Sequence, residues 1–165
     1  GGHAPGRDVR PVKVLVSEFK PGEHFHDHAP SEAPAPHIWH TLGYRRTVWE
    51  PGRQVLEWDA TEDYAFPTAS GHIIQGGMVA TLLDTAMGGA CWTLLDRSHV
   101  FLTADLRVEF LRPARPGLLR GDGRVIRRAS RVMFCAADLF DTDDVLLASA
   151  RCTQVLLPAG GPATR

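Results

Sequence analysis

The run "GMVATLLDTAMGGACWTLL", residues 77–95, constrains this chain more than any other stretch. Its apolar positions, Met78, Val79, Leu82, Leu83, Ala86, Met87, Ala90, Cys91, Trp92 and Leu94, cover most of a helical wheel, so a helix here must be buried nearly all round. Such a helix is a central core element, and the rest of the chain has to supply the surface that covers it. After it come "FLTADLRVEFLRPA", "LLRGDGRVIRRA", "RVMFCAADLFD" and "VLLASARCTQVLL", four β-type segments separated by "RPG", "AS" and "DTDD" turn signals. Before it, "HIWHTLG" reads as a short helix ended by Gly43, and "YRRTVWE" and "QVLEWDAT" flank "PGR" as a hairpin. The order hairpin, one long helix, run of antiparallel strands predicts an α+β fold in which a single sheet covers a single helix. No internal repeat is present.

Composition sets the outer limits. A chain of 165 residues, 44% of them hydrophobic, has enough apolar surface for one real core. A formal net charge of -1 supplies no bulk field for nucleic acid or an anionic membrane, so any basic site must be local. The three cysteines, Cys91, Cys135 and Cys152, are far apart and lack CxxC spacing, which argues against a disulfide framework or a zinc site and for a reducing, cytoplasmic compartment. The apolar run is broken by Asp84 and its neighbouring glycines, short of the roughly eighteen clean residues of a membrane span. The chain begins Gly1-Gly2-His3, which reads as a trimmed end and is left out of fold reasoning.

Residues 1–37 read as a flexible lead-in, because "KPGEHFHDHAPSEAPAPH" concentrates proline, histidine and acid. Its His24, His26 and His28 have a spacing that could chelate a metal in an extended chain, yet no fourth partner is visible and the expectation is a solvated loop with no metal. Residues 38–158 then form the domain, and 159–165 a C-terminal tail.

Thr81, Asp84, Thr85 and Gly88 fall at i, i+3, i+4 and i+7 and share one face of the helix. On pattern alone this is its hydrophilic edge. Gly76-Gly77, however, puts free backbone N–H groups at the helix N-terminus, where the dipole adds partial positive charge and no side chain blocks an approaching carbonyl oxygen. Asp84 lies eight residues after Gly76, roughly 12 Å along a helix, so both cannot touch one carbonyl within one chain. Two antiparallel helices related by a two-fold axis would bring Asp84 of one copy near Gly76 of the other. A shared site therefore predicts a homodimer.

"QGGMVATLLDTAMGGA", followed by "TADLRVEFLRPARPG" and "GRVIRR", resembles the PaaI-type acyl-CoA thioesterases of the hotdog superfamily over residues 43–157. The resemblance implies a five- or six-stranded antiparallel sheet wrapped around one long helix, dimers made by joining sheets, and homotetramers. It implies further that Asp84 is a general base or nucleophile and that the Gly76 N–H holds the thioester oxygen. Burial in an apolar helix should raise the pKa of Asp84. Thr103 matches the family's Ser/Thr beside the acid. Gln75 stands where many relatives have His; its amide can donate to the substrate but cannot carry a proton. Thr68, with Ala69 and Ser70, stands where relatives often have Asn.

For the CoA moiety, the resemblance points to Arg127, Arg128, Ser130 and Arg131 on the third strand pair, where Arg124 adds to the basic cluster. Gly77 and Phe110 would border the substrate, Phe110 beside the pantetheine arm. Arg112 and Arg115 are a second basic option, read as ends of a strand. No cofactor is implied, since CoA is part of the substrate. The expected function is thus hydrolysis of an acyl- or aryl-CoA to the free acid and CoA. The rivals are a non-catalytic acyl-CoA-binding sensor or carrier, and a hotdog hydratase or dehydratase. The last normally uses a catalytic His, and none stands at the start of this helix.

Overall fold

The computed structural model describes residues 35–159. The His-rich motif at 24–28, nearly all of the lead-in and residues 160–165 lie outside the described part. A short helix, α1 (His37–Leu42), ends on Gly43, whose φ of 76° is left-handed and would strain any residue with a Cβ. The expected hairpin follows as β1 (Tyr44–Glu50) and β2 (Arg53–Ala60). A 3-10 turn (Glu62–Tyr64) leads into β3 (Ala65–Thr68) and β4 (Gly71–Ile74), which pair only with each other. Next come α2 (Gly76–Trp92), β5 (His99–Phe110), β6 (Gly117–Arg128), β7 (Val132–Phe140) and β8 (Leu146–Pro158).

Six strands form one antiparallel sheet in the order β1-β2-β6-β7-β8-β5, and α2 lies against its inner face. This is the α+β layout expected, with the larger of the two expected strand counts. Leu82, Leu83, Ala86, Met87, Ala90 and Cys91 are completely buried, and of all α2 only Gly77 is exposed. Each of the buried leucines contributes about 1.5–3 kcal/mol through the area it removes from water.

What lets the helix come down onto the sheet is the absence of side chains at two successive inner positions of β6, Gly121 and Gly123. A Cβ at Gly123 would overlap the Ala86 carbonyl and lie 2.6 Å from the Met87 nitrogen, backbone atoms that have no rotamer to escape into. At Gly121 it would meet only side-chain atoms, of Leu82 at 3.3 Å and of Ala86 at 3.7 Å. On the β2 side, the buried Gln54 donates from Nε2 to the Thr85 carbonyl at 3.0 Å and accepts from Arg46 Nε at 3.0 Å. Arg46 is itself held between the rings of Trp39 and Trp49, 4.7 and 3.7 Å from their centroids. These contacts fix the height and the rotation of α2.

At the other margin, β5 is the edge of the sheet, paired on one side with β8. It carries apolar side chains in the open, including Leu102, Leu106 and Phe110. An edge strand of 12 residues with these apolar side chains exposed, interspersed with Asp105, Arg107 and Glu109, offers its free backbone groups to another strand.

Replacing Gly123 by Ala should cost about 3 kcal/mol in urea unfolding, against under about 1 kcal/mol for Gly121→Ala. Equal losses at the two positions would contradict the backbone contact as the limiting one.

Candidate active site

The face of α2 that carries Asp84 looks toward the β5 edge. A Cβ at Gly88 would touch the Phe101 ring at 3.4 Å, and Thr103 Oγ1 lies 3.0 Å from Asp84 Oδ1. The neighbouring hydroxyls turn back on their own helix, Thr81 to the Gly77 carbonyl at 2.8 Å and Thr85 to the Thr81 carbonyl at 2.7 Å. Asp84 is thus the polar side chain of this face that reaches across to the sheet. Half-buried, its carboxyl is pushed above the usual carboxylate range by desolvation, an effect the Thr103 hydrogen bond partly offsets.

A β-bulge delivers Thr103. In the β5–β8 pairing Thr103 faces Gln154 and Asp105 faces Thr153, with Ala104 as the extra residue. The Thr103 hydroxyl therefore points inward beside Gln154, whose Oε1 is also 3.0 Å away. Gln154 is completely buried and was not singled out from the sequence, although the alternation of β8 through Ala150, Cys152 and Leu156 marks it as an inward position.

At the start of α2, Gln75 is the N-cap, its Oε1 accepting from Met78 N at 3.2 Å. That leaves its amide NH2 for an outside acceptor. The Gly76 and Gly77 N–H groups have no partner among the described residues. Phe110 from the end of β5 lies over this helix start, 3.2 Å from where a Gly76 Cβ would be. So Gly76 and Phe110 meet at one end of the α2–β5 seam, and Asp84 and Thr103 at its middle.

The expected CoA-binding arginines are elsewhere in the chain. Arg127, Ser130 and Arg131 are exposed around the β6–β7 turn, whereas Arg128 donates to the Leu94 carbonyl just past the end of α2, with Asp96 3.9 Å away. A 17-residue helix, about 25 Å, separates that end from Gly76. Thr68 is occupied in the β3–β4 turn, donating to the Gly71 carbonyl, and Arg115 donates to the Ser70 carbonyl at 2.9 Å. Arg112 likewise holds the Leu146 carbonyl at 2.8 Å. Among the described residues, no group of three or more His, Cys, Asp or Glu is arranged to hold a metal ion, and no helix is long and apolar enough to cross a membrane.

Residues 71–148, which run from β4 to the start of β8, match the family described as Thioesterase superfamily. A proposed esterase of Saccharolobus solfataricus is 31% identical over 140 residues, covering 85% of this chain and 88% of its own. The medium/long-chain acyl-CoA thioesterase YigI of Salmonella typhimurium is 29% identical over 97 residues, 51% of this chain and 63% of that protein. Among solved structures, a phenylacetic acid degradation-related protein of Ralstonia eutropha, a proposed thioesterase, superposes with a TM-score of 0.68 at 32% identity, covering 75% of this chain and 92% of that one.

An acid whose native pKa is raised holds its proton longer when folded; its stabilising contribution is complete below the unfolded carboxylate range and is lost as pH rises through the native value. Asp84→Asn should therefore melt higher than the parent at pH 7, with the gain shrinking as pH falls through the raised native value and gone below about pH 4. Thermal melts across pH check this; a gain independent of pH would show that Asp84 ionisation is not its source.

Proposed function

Because the chain belongs to the thioesterase superfamily of hotdog proteins, we propose that it hydrolyses an acyl-CoA thioester at a site shared between two subunits. The observation that carries this reading is the Asp84–Thr103 pair, an acid with raised pKa hydrogen-bonded at the open edge of the sheet. A water beside the free oxygen of Asp84 gives it a proton and attacks the thioester carbonyl carbon. The C–S bond then breaks, CoA leaves as thiolate, and the proton on Asp84 returns to it.

Charge on the carbonyl oxygen of the tetrahedral intermediate needs donors already in place. The unpartnered Gly76 N–H at the helix N-terminus is such a donor, assisted by the Gln75 amide. It is too far along its own helix from Asp84, so the donor is the partner's Gly76. A dimer formed by pairing two β5 edges supplies it: α2 then lies antiparallel to its copy, and each Asp84 approaches the other subunit's helix start. The same operation carries Arg127, Ser130 and Arg131 of one subunit toward Gly76 and Phe110 of the other, where CoA phosphates would meet them. Support for the dimer comes from the apolar β5 edge and from the two half-sites lying along one seam.

The chain should sediment as a dimer or larger and release free thiol from at least one member of a panel of aliphatic and aryl acyl-CoAs. Asp84→Asn should lower kcat/KM by about 100-fold or more. Binding without release of CoA from any of them would instead make this an acyl-CoA-binding protein, and a strict monomer with full activity would remove the shared site.

A further inference from the structure

The Thr103 hydroxyl has one proton and, as placed, two acceptors at 3.0 Å, Asp84 Oδ1 and Gln154 Oε1. Both bonds cannot form. The carbonyl and amide ends of a glutamine have the same shape, and only their hydrogen bonds distinguish them. On its far side the Gln154 amide contacts Cys152 Sγ at 3.2 Å, a thiol that can donate as well as accept. Cys152 in turn faces Cys135 across the β7–β8 pairing, and all of these groups except Asp84 and Thr103 are buried.

We propose that Gln154 is turned with Nε2 toward Thr103, making it a positioning residue that directs the single Thr103 proton onto Asp84. Each link then has one donor and one acceptor: Cys152 Sγ–H to Gln154 Oε1, Gln154 Nε2–H to Thr103 Oγ1, Thr103 Oγ1–H to Asp84 Oδ1. In the opposite orientation Gln154 would compete with Asp84 for that proton, and Cys152 would be an acceptor only. A completely buried amide cannot exchange either partner for water, so the orientation is locked. The consequence for the reaction, which rests on the thioesterase reading, is that one oxygen of Asp84 stays engaged by Thr103 while the other is free for water.

The two orientations predict opposite signs. With Nε2 toward Thr103, Gln154→Leu removes the donor that polarises the hydroxyl, and the Asp84 pKa rises by about one unit; with Oε1 toward it, the same change frees the proton for Asp84 and the pKa falls. Carboxyl 13C NMR titration of Asp84, without substrate, reads this directly and is independent of whether the protein hydrolyses anything. Because Gln154 acts through Thr103, Gln154→Leu should add no further shift on a Thr103→Val background. A second measurement needs no variant: in the parent protein, the Gln154 side-chain NH2 protons should show a nuclear Overhauser effect to the Thr103 methyl. A fall or no change in the Asp84 pKa, or an NH2 contact to the Cys152 β-protons in place of the Thr103 methyl, overturns the proposal. Failure of the acyl-CoA assay with the expected titration would sink the thioesterase reading and leave the Gln154 assignment standing.

Discussion

The rest of the structure depends on how closely α2 approaches β6. With hydrogen atoms at the inner positions 121 and 123, the helix backbone at Ala86 and Met87 rests directly on the strand. From that height a single aspartate, three residues earlier in sequence than Met87, reaches a threonine on the edge strand. A helix held farther out by even one methyl group would lift the carboxyl from the hydroxyl, since packed interiors transmit such displacements instead of absorbing them. The two inward glutamines work on the same geometry from opposite sides, Gln54 fastening the helix carbonyl next to Asp84 and Gln154 meeting the threonine.

Burial and chemistry are opposed at Asp84. The apolar helix that keeps the fold together disfavours its ionised form, and the hydrogen bond from Thr103 recovers part of the loss. A carboxyl held in that balance is a stronger base than a solvated one, at a cost in stability borne by the large apolar core around it. The edge strand has a similar double character. Its exposed apolar side chains and free backbone groups are a liability for a lone chain and an asset once a second copy pairs with them.

Much of the architecture was legible in the sequence because its signals are local and strong. The buried helix, the Gly43 stop, the hairpin around "PGR" and the four later strands are all where periodicity and turn residues put them. The β3–β4 hairpin was not, since its strands have four residues each and one contains Pro67. At the site, helical spacing isolated Asp84 and the glycine pair, but Thr103 came from family resemblance, because a bulge one residue away decides which way it points. Gln154 was hidden differently: a polar residue in a strand reads as solvent-facing until the strand's inner register is known. The arginines show the limit of one chain, as Arg128 holds the end of its own helix while its neighbours stand a helix length from Gly76.

The central claim is that Asp84 acts with the Gly76 N–H of the other subunit, and mixed dimers test it most directly. Gly76→Pro removes that N–H at the first helical position, where proline is tolerated, and the extended Gln75 (φ -60°, ψ 132°) can precede a proline. Each of Asp84→Asn and Gly76→Pro alone should be nearly inactive. Co-assembled, the two variants create one intact site per mixed dimer if the site is shared, and none if each chain works alone. Hydrolysis restored to about half the parental rate per mixed dimer is the predicted result, and mixed dimers as inactive as either variant would contradict it.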